Sequence, residues 1–165
     1  MEFYLNNRQV IKNLQLNTGT IAVPVWSGMC TTSEIAIDTE FEKKDFYVFC
    51  DAIKRAVITG VGLSLTTTVK LDINNVAIQN TLGDIHTLIE SGEIAQFNNK
   101  EIQFDLLSGV NAGVLEYTRY KATVCIEISD LGGAAEEEGD YQAIFTFVGP
   151  AEEVIISNCI SLLLN

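Results

Sequence analysis

One run of residues constrains this chain more than any other. From Val57 to Leu71 polar and apolar side chains alternate over the longest clean stretch in the sequence. Leu63, Leu65, Thr67, Val69 and Leu71 fall on one face, and Ser64, Thr66, Thr68 and Lys70 on the other. A period of two is the mark of an antiparallel strand with one face in a core and one in water. The run also exceeds the usual five or six residues of a strand. It must therefore bend across the fold or extend beyond it.

The same period recurs along the chain. Ser33 to Phe41 places Ile35, Ile37 and Phe41 opposite Glu34, Asp38 and Glu40, and Lys43-Lys44 then marks a hairpin tip or loop before the aromatic stretch Asp45–Cys50. Thr20 to Trp26 reads as a strand that Pro24 confines to an edge or a bulge. Further strands are predicted over 101–107, 113–131, 140–148 and 154–156. In 113–131, Tyr120, Ala122, Val124, Ile126 and Ile128 share a face. Only 81–91 has helical spacing, through Leu82, Ile85, Leu88 and Ile89, and Gly92 suits the left-handed stop. Residues 72–80 read as a loop or an extra strand. The expected fold is mainly β: an antiparallel β-sandwich or flattened barrel with one short flanking α-helix at about 81–91. A chain of 165 residues fits a single domain, 1–165, with an N-terminal segment at 1–16. Its last stretch, 158–165, is apolar through Ile160, Leu162, Leu163 and Leu164. That stretch is either an edge strand on its own core or an arm that docks on a neighbouring subunit by strand addition.

Charge narrows the function classes. The net charge is −12. Residues 1–71 carry seven basic and seven acidic groups, whereas 72–165 carry three basic groups against fifteen acidic ones, which is the whole imbalance. This suggests one acidic surface or a well-solvated face. It argues against binding nucleic acid through its phosphates, which takes clustered Lys and Arg.

Catalytic and metal chemistry find little support. His86 is the only histidine, and no nucleophile elbow accompanies it. It reads as an exposed or rim residue on the helix. Gly60-Val61-Gly62 lacks the third glycine of a dinucleotide loop and reads as a turn or bulge. Glu136-Glu137-Glu138 lacks the alternating spacing of a calcium loop. Cys30, Cys50, Cys125 and Cys159 lie far apart and are expected as buried free thiols. No catalytic, cofactor-binding or metal residues are assigned. No apolar stretch reaches the roughly 20 residues of a membrane span, and the N-terminus lacks a secretory pattern. A soluble protein made in the cytoplasm, with no membrane partner, is expected.

Three stretches carry a resemblance. Thr32-Ser33-Glu34-Ile35-Ala36-Ile37-Asp38 through Ala56-Val57-Ile58-Thr59-Gly60 has the form of an early strand, a variable loop and a "T-G" entry into a long strand. Ile85-His86-Thr87-Leu88-Ile89-Glu90-Ser91-Gly92 is a single short helix. Ala122 through Gly133, followed by Gln142 through Pro150, is a closing strand pair with an S-x-L-G-G turn. In this order the elements resemble the major tail (tail tube) proteins of long-tailed bacteriophages, especially those of Gram-positive phages and prophages. The likeness spans roughly residues 20 to 155. Residues 1–16 have no counterpart in it.

The resemblance implies a non-enzymatic virion protein, assembled as stacked hexameric rings into a hollow tail tube. The tube would enclose the tape-measure protein and let DNA pass without binding it specifically. A lumen that passes DNA should repel phosphate, and the acids expected there are among Glu116, Glu127, Asp130 and Asp140. The loop around Lys43 and Lys44 is expected to touch an adjacent subunit, as is the arm at Ile160–Leu164. The inner tube of a contractile tail, bacteriocin or secretion system shares the implied fold. From a different class, a small-ligand-binding β-barrel would instead be a stable monomer with one apolar cavity.

Overall fold

A computed structural model describes residues 4–29, 32–47 and 53–155. The expectations for Ile160, Leu162, Leu163 and Leu164, and for Cys30, Cys50 and Cys159, lie outside the described residues. The elements in chain order are α1 (Asn7–Val10), β1 (Ile11–Asn17), β2 (Trp26–Gly28), β3 (Thr32–Phe46), β4 (Arg55–Lys70), α2 (Val76–Ser91), β5 (Lys100–Asn111), β6 (Val114–Ser129), β7 (Asp140–Phe147) and β8 (Glu152–Glu153). Among the described residues the strands form one antiparallel sheet in the order β2-β1-β5-β6-β7-β4-β3, with β8 beside β6.

The sheet behaves as two layers because β6 serves both. Its Val114–Val124 stretch pairs with β5, and its Val124–Ser129 stretch pairs with β7. The ladders overlap at Val124 alone, so the strand crosses from one layer to the other, as corner strands of sandwiches do. The remaining β7 edge is continued past Gly149-Pro150: Val148 N donates to Thr123 O, β8 pairs with Tyr120 and Lys121, and Val154 N donates to Arg119 O. The proline interrupts this ladder instead of ending it.

Curling brings the ends of the sheet together. β2 and β3 are its opposite edges, yet Gly28 and Thr32 are four residues apart, which limits their Cα separation to about 14 Å. No ladder joins β2 to β3 among the described residues, so the flattened barrel stays open. Leu14 and Leu16 of β1, Leu65 and Val69 of β4, Val124 of β6 and Phe145 of β7 meet in a single core. Helix α2 covers the open side through Ala77, Ile78 and Thr81. Asn75 fastens its start: the side-chain oxygen accepts from Ala77 N and Ile78 N, and the side-chain amide donates to Gly28 O of β2. Gly92, at φ 70°, closes its end in the left-handed conformation that glycine adopts without a Cβ penalty.

Several expectations need correction. The helix starts at Val76, not near 81. The Asn75 cap supplies the start signal, and it outweighs the weak helical periodicity of 72–80. Thr20–Trp26 is not a strand: residues 18–25 fold into a turn held by Thr18 N on Val25 O and by Asn17 Oδ1 accepting from Gly19 N and Val25 N. The short strand expected at 154–156 is Glu152–Glu153 instead. Where the sequence offered no reading for the N-terminal segment, Ile11–Asn17 is an interior strand between β2 and β5. Lys43 and Lys44 are not at a hairpin tip. They lie in β3, opposite Ile58 and Val57.

Candidate functional site

Two long strands outrun the sheet. β4 pairs with β7 only from Ser64 to Lys70, but its ladder with β3 continues to Arg55 opposite Phe46. From Leu63 to Arg55 no third strand joins the ladder of these two among the described residues. A second arm forms where β5 passes Leu106, the last residue opposite β1, and folds back at Ala112-Gly113 into β6. Positive φ at both turn residues, 48° and 82°, gives the two-residue turn whose twist suits a hairpin. By register, both arms run on past the C-terminal end of β7.

The β3–β4 arm exposes large apolar side chains among its charged ones. Phe41 stands opposite Val61, and they are 53% and 54% exposed. Phe46, Tyr47, Val57 and Ile58 are exposed as well. An isolated two-stranded ribbon is marginal in water at best. Clustered apolar exposure of this kind marks an interaction surface. The arm bends at Thr59, which bulges between the pairs Glu42–Gly60 and Lys43–Ile58. Gly60-Val61-Gly62 is thus part of a strand beside a bulge. A Cβ on Gly60 would come within 3.1 Å of the Glu42 carboxylate. Lys54 and Asp45 form an ion pair near the arm's end.

The four acids named from sequence do not form one patch. Glu127 lies on the outer face of β6 opposite Ile144, and Asp140 opens β7 beside Lys70, 3.4 Å from its Nζ. Glu116 is on the other face of β6, along the second arm, by the alternation that sends Ala122 and Val124 inward. Asp130 directly follows β6, at φ 57°. The acidic half of the sequence is therefore dispersed over several surfaces. Asp84 pairs with Lys100 across 2.7 Å, and Glu136–Glu138 occupy an exposed loop. His86 is exposed on α2, and Cys125 is a half-buried free thiol.

Sequence reasoning missed a polar row on the outer face of β1, β5 and β6. Asp105 is buried and accepts from Arg119 Nε at 2.7 Å, Arg119 Nη2 at 3.1 Å and Asn13 Nδ2 at 2.7 Å. Glu101, also buried, accepts from Asn17 Nδ2 at 2.8 Å and faces Lys121, which reaches Glu152 at 3.7 Å. Lys12 lies over the Tyr117 ring, 3.5 Å from its centroid. Burial pushes the Asp105 carboxyl up, but the hydrogen bonds from Arg119 and Asn13 and the charges of Arg119 and Lys12 outweigh it and hold the group below its ordinary value. The same contact raises Arg119. Alternation along 101–105 puts Glu101, Gln103 and Asp105 on one polar face, but their partners on β1 lie beside an irregularity between Lys12 and Gln15, and which faces meet depends on strand order. Among the described residues no cluster of His, Cys, Asp and Glu could hold a metal ion, and no helix is long and apolar enough to cross a membrane.

No family model matches the sequence, and no curated protein matches it. Solved structures do. A chain from the tail of an empty gene transfer agent particle, solved with C6 symmetry, superposes with a TM-score of 0.56 at 12% identity, over 92% of this chain and 100% of that one. The fold is that of a tail-particle chain. A chain from the sheath-tube complex of an extracellular contractile injection system, in its extended state, matches with a TM-score of 0.52 at 7% identity, over 93% of both chains. At such identities the shared property is the fold, and both matches run over nearly its whole length.

Proposed function

We propose that this chain is the subunit of a phage-like tail tube, a structural and non-enzymatic protein. It polymerises as hexameric rings that stack into a hollow tube around a tape-measure protein and pass DNA to the host. It is made in the host cytoplasm and ends in the virion. The β3–β4 arm is the single observation that carries this reading. A monomer that exposes Phe41, Phe46, Tyr47, Ile58 and Val61 on a two-stranded ribbon is incomplete, and a ring supplies the missing face. The C6 tail that shares its fold supports the ring, and the sequence resemblance supports a long-tailed phage of Gram-positive hosts. Lys43 and Lys44 lie on the docking arm. Glu127 and Asp140, on the outer face of the β6–β7 layer, are its candidates for the lumen, with Glu116 and Asp130 at its margins.

The match to the contractile injection system favours a second reading, the inner tube of a contractile machine. A sheath gene beside this one would select it. Negative-stain microscopy of the concentrated protein tests the class. Rings or tubes are expected. A chain that stays monomeric at millimolar concentration and takes an apolar ligand into one cavity belongs to the ligand-binding barrels.

A further inference from the structure

A second unpartnered surface lies away from both arms. Beyond the pair Lys100–Val124, β5 no longer accompanies β6. Among the described residues, Cys125 to Ser129 therefore have strand neighbours on the β7 side only. An open groove of about 640 Å³ follows this bare edge, with Ile85, Leu88, Ile94, Phe97, Ile126 and Ile128 in its lining. Glu127 and Asp130 stand at the same edge. A bare strand edge beside an apolar trough is the geometry of strand addition, in which main-chain hydrogen bonds supply affinity and alternate side chains fill pockets.

We propose that this groove receives residues 160–164 of a second copy of the chain. The inference rests on the tube reading and names one of its contacts. Ile160, Leu162 and Leu164 alternate with Ser161 and Leu163, so an added strand presents three large aliphatics to one side. Residues 156–165 carry no charged side chain, which suits a trough edged by carboxylates. The β3–β4 arm, with Glu40, Glu42 and Asp45, suits it less.

Reach decides against the same chain. Val154 N is bonded to Arg119 O on the β7 side of β6, and the chain there runs antiparallel to β6, away from the groove. Cys125 is six residues along β6 from Arg119, about 20 Å of strand. Ile160 is five residues beyond Ile155, at most about 18 Å even when fully extended. That length must also reverse direction and cross to the other edge of β6. Only a neighbouring subunit's segment can lie along the groove.

The chain contains its own crosslinking pair. A tail running parallel to β6 puts Cys159 beside Cys125, and an antiparallel tail puts it beside Ser129. The experiment oxidises full-length Cys30→Ser/Cys50→Ser protein after assembly and reads a non-reducing gel. A ladder of linked chains is expected, in this background for a parallel tail or after Ser129→Cys for an antiparallel one, and in either case it is lost on Cys159→Ser. The parallel ladder is lost on Cys125→Ser, whereas the antiparallel one survives that change. Ile94→Asp, at a residue 63% exposed, should cut the crosslink at least tenfold without changing the melting temperature. A link within one chain overturns the proposal. Tubes that assemble without an interchain link from Cys159 in either background, with Ser129 or with Ser129→Cys, also overturn it, and leave the tube reading intact. A chain that forms neither rings nor tubes overturns both.

Discussion

Arg119 holds Asp105 from the neighbouring strand with two hydrogen bonds, Nε to Oδ1 at 2.7 Å and Nη2 to Oδ2 at 3.1 Å. The carboxylate is 8% exposed and the guanidinium 29%. Removing the arginine leaves a buried charge with Asn13 as its remaining donor. Arg119→Leu should therefore cost about 2 kcal/mol, less than a fully buried pair because the arginine is partly wet. Asp105→Asn on that background should recover part of the loss. Urea titrations of the two variants and the parent check both.

The same carboxyl sets a pH dependence. Its folded pKa lies below its ordinary value. The stabilisation is thus fully present above the ordinary carboxylate range, and it is lost as pH falls below about 3.9 through the folded pKa. The unfolding free energy should decline with acid over that window. The decline should be shallower in Asp105→Asn, as read from denaturant midpoints at a series of pH values.

Phe41 and Val61 face each other on an arm where, among the described residues, no third strand joins the ladder. Phe41→Ser with Val61→Ser should leave monomer stability within about 0.5 kcal/mol, as for surface positions, and abolish tubes. Lys43→Glu with Lys44→Glu should impair assembly in the same way while the monomer stays folded. Normal tubes from both variants, seen by electron microscopy, would remove the arm from the interface.

Asn75 performs two tasks with one side chain, capping α2 and holding Gly28 of β2. Asn75→Ala should destabilise by about 1–2 kcal/mol. Asn75→Asp keeps the cap acceptor but loses the donor to Gly28, and should fall between the two in a thermal melt.

Leu65 is fully buried at the centre of the β3–β4–β7 layer. Leu65→Ala should cost about 3 kcal/mol through lost transfer energy and the cavity left behind. Ser64→Ala, one residue away on the outer face, should change stability by less than about 0.5 kcal/mol. Chemical denaturation of the pair measures how well the alternation of β4 marks the inside.

Sequence alone determined the inward face of the central strands and that the long strands must bend or run on, although Phe41 and Leu71, on the apolar faces by alternation, are exposed. Leu65, Thr67, Val69, Ala122, Val124, Tyr141, Ala143 and Phe145 all point into the core as their period of two required, because alternation is a local property of an extended backbone. It also located the Gly92 stop, since cap chemistry lies within a few residues; the turn between β6 and β7 closes later than the S-x-L-G-G run, where Glu137 N donates to Ala134 O. Tertiary structure decided the rest. Placing β1 between β2 and β5, pairing Asp105 with Arg119, and putting Lys43 within a strand instead of at a tip all depend on which strands become neighbours. Strand order carries no signature in any one segment. It is fixed by the joint burial of residues as distant as Leu16 and Val69, once the sheet has curled around them.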